Sequence, residues 1–123
     1  MRRAAKGEET VDNIATHYNP VWPSNSVVRA DLSHYGLPGR YEQFWARKVS
    51  ETVYEVSCIP FFTRGLSLGD HVHCDDEFTV VSVTMKGGHK TLLVVVANRQ
   101  KDESRLHESL HAWADASGLL YEF

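Results

Sequence analysis

Five residues near the end of the chain, His107-Glu108-Ser109-Leu110-His111, spell the pattern HExxH. On a helix, residues four apart share a face, so two imidazoles spaced this way can grip one Zn²⁺ while the glutamate between them activates a bound water. The helix that must carry them runs through "QKDESRLHESLHAWADASG" and stops at Gly118, a normal terminus because glycine accepts the left-handed conformation found there. Its apolar stripe is Leu106, Leu110 and Trp113, at spacings of four and three, and this stripe is expected to face a sheet. On a helical wheel His107 falls about 90° from the centre of the stripe and His111 about 130°. The pair therefore reads as a solvated flank of an ordinary amphipathic helix. A third ligand would have to come from upstream, because Asp115 and Glu122 are the only acids after His111.

A second set of candidate ligands lies in "GDHVHCDDE". In a strand, His71 and His73 point the same way and Cys74 points to the opposite face. The sequence contains no CxxC pair, so the spacing carries no zinc signature. The stretch reads as the polar face of an exposed strand followed by an acidic turn, Asp75, Asp76 and Glu77. Nucleophilic chemistry has little support. Cys58 sits mid-strand in "EVSCIPFF", where a buried thiol acts as a small hydrophobe, and acids beside Cys74 raise a thiol pKa. The glycines of "KGGHKT" join two strands and do not open a helix, so they form no phosphate loop. No catalytic residue and no cofactor is assigned.

The elements that must position these residues belong to an α+β fold. At 123 residues with 42% hydrophobic and 24% charged content, the chain has the length and composition of one globular domain. A net charge of −3 argues against a basic nucleic-acid-binding face. No apolar run is long enough for a membrane span. Two cysteines without a secretory signal suggest reduced thiols, so the cytoplasm is the expected location. Residues 1–26 read as an N-terminal arm in which "GEETVDNIAT" forms a short helix with Val11, Ile14 and Ala15 on one face. Pro20 and Pro23 then bracket Trp22, and the arm is expected to pin Trp22 onto the body.

Residues 27–123 read as a single α+β domain with a twisted, mainly antiparallel sheet of about six or seven strands. "SVVRADLSHY" is the first strand, ending at the turn Gly36–Gly39. A hairpin follows through "YEQFWARKVSETVYEVSCIPFF", turning near Ser50-Glu51-Thr52. "EFTVVSVTM" and "KTLLVVVAN" are expected to pair around Gly87-Gly88, with "TLLVVVA" as a central strand buried on both faces. The C-terminal helix packs on the sheet, and "LLYEF" forms a last strand.

The stretch "VSCIPFFTRGLSLGDHV", followed by "KGGHKTLLVVV", resembles a family of small bacterial proteins known as a domain of unknown function, whose members show an "IPFF…G(V/L)SLGD" core and a Gly-His turn before a strand. The residues that carry the resemblance are Ile59, Pro60, Phe61, Phe62, Gly65, Ser67, Leu68, Gly69, Asp70, Gly88 and His89. No activity comes with it. The resemblance implies architectural roles for most of these residues, with His89 at a hairpin tip the exception.

A small, acidic chain without a coherent catalytic constellation suits a non-enzymatic binding protein, most specifically an immunity protein that occludes the active site of a cognate bacterial toxin, such as a nuclease. Occlusion requires complementary charge and aromatic anchors rather than reactive groups. The candidate contact residues are Asp75, Asp76, Glu77, Trp22, Tyr35, Tyr41 and His89. The alternative is a small metal-dependent or histidine-using enzyme or regulatory domain, drawing on His71, His73, His89, His107 and His111, with His71, His73, His107 and His111 as the metal-ligand candidates.

Overall fold

The computed structural model describes residues 10–11, 14–95 and 103–122. They fall into two compact units, one reaching Thr91 and taking in Glu122, the other Leu92–Tyr121. The first unit is a seven-stranded mixed sheet. Its strands are β1 (Thr10–Val11), β2 (Ile14–Ala15), β3 (Ser26–Asp31), β4 (Tyr41–Lys48), β5 (Val53–Val56), β6 (His71–Cys74) and β7 (Val80–Met85). These runs are rich in β-branched and aromatic residues, which suit a pleated, half-buried surface.

From β3 to β7 each strand pairs antiparallel with the next. β3 pairs with Tyr41–Ala46 of β4 on one side. The other side of β4 is shared: β5 takes Ala46–Lys48, and β2 takes Tyr41 and Glu42 in a parallel pairing. The sheet curls until its last strand approaches its third, where Arg29 bridges to Thr79 and the Arg29 N–H donates to the Phe78 carbonyl at 2.8 Å.

Alternation along each strand fills the inside of this curl. Val28 and Ala30, Phe44 and Ala46, Tyr54 and Val56, and Val72 and Cys74 form one buried cluster with Cys58 and Leu66. The registers keep them in phase, with Val28 opposite Phe44, Ala46 opposite Val56 and Tyr54 opposite Val72. Each fully buried Val or Phe here contributes about 1.5–3 kcal/mol.

The second unit contains α1 (Glu103–Ala116). It ends as the sequence predicts: Gly118 has φ 71°, Gly118 N–H donates to Asp115 and Leu119 N–H to Ala114, the paired closing bonds of a Schellman stop. The covered side of the helix is displaced from the expected one. Ala114 is buried, whereas Trp113 is 52% exposed.

Three expected elements differ. "TLLVVVA" forms no strand over residues 91–95, and Leu92–Val95 are exposed; its last two residues lie outside the described residues. An unbroken apolar run carries no period that distinguishes strand from other structure, and no described strand edge pairs with it. "LLYEF" is irregular over Leu119–Glu122, and its Glu122 side chain bonds His17 and Ile59 within the sheet unit. In place of the N-terminal helix, β1 and β2 pair antiparallel; β-branched Thr10, Val11 and Ile14 lose side-chain freedom in a helix, and the vacant end of β4 offers them a ladder.

Candidate functional site

Four side chains from distant parts of the sequence meet inside the curled sheet. Glu42 follows the inward phase of Phe44 and Ala46 on β4, so the strand places a carboxylate in the core. Pairing of β2 with β4 sets Ala15 beside Glu42, and His17 comes just after it. The His17 Nε2–H donates to Glu42 Oε2 at 2.7 Å, and Nδ1–H donates to Glu122 Oε1 at 2.7 Å. Cys58, where the chain leaves β5, places its thiol beside the imidazole.

The loop "IPFFT" completes the cradle. Three successive N–H groups, those of Phe61, Phe62 and Thr63, donate to the Glu42 carboxylate at 2.6–2.9 Å, and the Thr63 hydroxyl adds a fourth donor. Successive amides turned toward one anion form a nest. Ile59 N–H does the same for Glu122 Oε2 at 2.6 Å, and the Phe61 ring stacks on His17 at 4.8 Å. The charged groups are therefore compensated, as buried charges must be.

Burial by itself would push the His17 imidazole down, but hydrogen bonds with Cys58, Glu122 and Glu42 outweigh it and raise its pKa to about 12. Burial would push Glu42 up; the hydrogen bond and charge of His17 and the Phe61 and Phe62 amides hold it below the ordinary carboxylate range. Burial pushes the Cys58 thiol up despite the opposing pull of His17. With both ring nitrogens donating and the thiol held protonated by burial, Cys58 is not set up as an activated nucleophile.

A second buried carboxylate locks the two glycine motifs together. Asp70 Oδ2 accepts from Ser67 N–H at 2.9 Å and Lys86 Nζ at 2.7 Å, while Oδ1 accepts from Gly87 N–H at 2.8 Å. Gly87 lies so close to the SLGD turn that a Cβ there would sit 2.4 Å from the Gly69 carbonyl oxygen. Gly69 in turn has φ 88° and lies beneath Trp22, whose ring meets His89 edge-on at 5.4 Å. Two residues expected as separate partner contacts, Trp22 and His89, thus form one structural contact that ties the N-terminal segment to this corner.

The other expected contacts fall elsewhere. Tyr35 donates its hydroxyl to the Arg64 carbonyl. The Asp75 carboxylate accepts from Glu77 and Thr79 N–H groups, both at 2.9 Å, closing the acidic turn on itself. Glu77 pairs with Arg29, whose guanidinium covers the Tyr41 ring at 4.3 Å. Asp76 is exposed. At the end of the turn Phe78 holds a left-handed backbone, φ 62°, with its ring edge-on to Tyr54.

Beyond it β7 is the terminal strand of the sheet among the described residues. Val81 (61%), Val83 (41%), Met85 (53%) and Phe78 (51%) are all exposed. This apolar edge was not anticipated, although "VVSVTM" contains no charge that would mark a solvated strand.

The histidines of the two motifs have the following surroundings. His71 and His73 share a face as expected, but His71 pairs with Glu55 at 3.3 Å and His73 with the Thr52 hydroxyl at 3.1 Å. On α1, His107 is exposed, and His111 meets the Tyr121 ring edge-on at 4.9 Å. Among the described residues the group of three or more side chains with convergent metal-ligating atoms is His17, Cys58 and Glu122. None of the four histidines considered from the sequence belongs to it. The signal for this cluster was Glu42, an acid in phase with core positions; His17 and Glu122 carry no local pattern.

No curated protein and no solved structure matches the chain. The match to a family spans the glycine motifs, the "IPFF" loop and the inward acid of β4: residues 42–120 match the domain of unknown function DUF4265, and the chain belongs to that family.

Proposed function

We propose that this chain is a non-enzymatic protein-binding protein and, at its most specific, an immunity protein that neutralises a cognate bacterial toxin by covering its active site. The observation that carries the reading is β7, among the described residues a terminal strand, exposing Val81, Val83 and Met85 next to an exposed Phe78. A sheet edge offers unpaired backbone donors and acceptors to an added strand, while side chains on alternate faces supply selectivity. Exposed aromatic and methionine side chains are enriched at such contacts. Asp76 and Glu77 immediately precede Phe78, so a basic cleft such as that of a nuclease suits the patch.

The test is co-expression of this chain with the product of each neighbouring gene, scoring growth and isolating the complex. The expected result is rescue from one toxic product by a stable complex, lost in the Val81→Asp/Val83→Asp double variant while the fold is kept. A toxic neighbour that is not bound, or rescue that survives the double variant, refutes the reading.

A further inference from the structure

Three donors of different chemistry converge in the interior: a His17 ring nitrogen, Cys58 Sγ and a Glu122 carboxylate oxygen, all within 4.8 Å of one another. We propose that they form a binding site for a divalent transition-metal ion, Zn²⁺ by the donor set, joining the N-terminal segment, the end of β5 and the C-terminal segment. This inference stands independently of the binding role of β7. Imidazole and thiolate select zinc over hard cations such as Ca²⁺ and Mg²⁺, which take oxygen ligands.

The surroundings are those of a supported site. Glu42 Oε2 lies 2.7 Å from His17 Nε2, leaving Nδ1 as the nitrogen turned toward Glu122. A carboxylate on the far nitrogen is how proteins orient a ligating imidazole. Glu42 is itself fixed by the Phe61, Phe62 and Thr63 amides, and the second oxygen of Glu122 is held by Ile59 N–H. His17 and Cys58 are buried, so the ion would exchange slowly with solvent.

For the His17 and Glu122 pair the adjustment required is small. Nδ1 and Oε1 are 2.7 Å apart, whereas two ligands on one tetrahedral Zn²⁺, each about 2.0–2.1 Å from it, lie roughly 3.3 Å apart. Zinc takes the place of the proton between His17 and Glu122 and of the Cys58 thiol proton, and both protons leave to solvent. Three protein ligands leave a fourth position for water or a small exogenous donor.

The test uses the full chain, freed of metal with EDTA and titrated separately with Co²⁺ alone and Zn²⁺ alone near neutral pH. The expected result is one cobalt per chain with a thiolate-to-cobalt charge-transfer band, displaced by zinc, and a higher unfolding midpoint with zinc. Cys58→Ala, which leaves the His17 ion pairs intact, loses the band while keeping its circular dichroism. Glu42→Gln weakens cobalt binding about 10–100-fold, and His71→Gln leaves it unchanged. Absence of binding, cobalt bound without the charge-transfer band, or a band that persists in Cys58→Ala overturns the proposal.

Discussion

Gly87 and Gly88 are adjacent, yet the structure predicts very different costs for the same added methyl. At Gly87 a Cβ would lie 2.4 Å from the Gly69 carbonyl oxygen and 2.5 Å from its carbon. Neither atom belongs to a flexible side chain, so the KGG and SLGD turns must separate by most of an ångström. Overpacking of this kind costs about 1–3 kcal/mol. The movement also stretches the Gly87 N–H bond to Asp70, 2.8 Å in the native fold, and a hydrogen bond to a charged group is worth about 1.5–3 kcal/mol. Gly87→Ala is therefore expected to lose about 3–5 kcal/mol. At Gly88 nothing lies within 4 Å of the new methyl, and the cost is the left-handed backbone alone, φ 91°, about 1–2 kcal/mol. Urea unfolding at neutral pH measures both. For a chain of 123 residues the Gly87 variant should melt roughly 10–20 °C below the parent and the Gly88 variant a few degrees below it. If Gly88→Ala costs as much as Gly87→Ala, backbone conformation rather than close approach governs this corner, and the reasoning fails.

Three further outcomes follow from the same geometry. Asp70 is held below its ordinary pKa of 3.8: burial opposes ionisation, but the Gly87 amide and the Lys86 ammonium outweigh it. A depressed folded pKa gives stability that is complete above the unfolded pKa and disappears as pH falls through the folded one, so a pH series of urea midpoints should decline below about pH 4 and the decline should flatten in Asp70→Asn; an equal slope in both rejects the assignment. Removing the imidazole in His17→Ala leaves Glu42 in the core without its cation, which is expected to cost about 3–5 kcal/mol in denaturant, and a loss below about 1 kcal/mol would show that the amide nest alone satisfies the carboxylate. At Phe78 (φ 62°) the usual order of substitutions should invert, Gly being more stable than Ala by about 1–2 kcal/mol because only glycine relieves the left-handed strain; Phe78→Ala at least as stable as Phe78→Gly in differential scanning calorimetry would contradict this.

What the sequence made legible was local. The hairpin of β4 and β5 follows from alternation on both sides of Ser50-Glu51-Thr52, and the end of α1 follows from Gly118, because period and turn chemistry act over a few residues. "TLLVVVA" failed for the converse reason, since an apolar run without alternation states only that burial is favourable. The histidines of HExxH attracted notice through their spacing, which reports a shared helix flank and nothing about convergence with other segments. The cluster that does converge joins His17, Glu42, Cys58 and Glu122 across 105 positions. Only tertiary pairing brings them together: β2 must lie parallel to β4 before His17 can reach Glu42. The "IPFF" resemblance pointed to the right segment, but its role as an amide nest depends on backbone direction, which residue types alone do not disclose.

The interior joints also bear on how the exterior edge should be read. Glu42 and Asp70 fasten loops to the sheet from within, so neither carboxylate protects β7. Two register shifts along the β6–β7 pairing, between His71 and Val72 and between His73 and Cys74, disrupt the edge; bulges twist an edge and discourage indiscriminate pairing. Charge and proline are the other usual protections, and Val80–Met85 contains neither. A strand whose edge served only as a boundary would gain solubility from a lysine or glutamate at Val81 or Val83 at little cost in packing, since both side chains are exposed. Under the proposed binding role, a partner strand laid on this edge would cover Val81 and Val83, and the bulges would restrict which strand can fit.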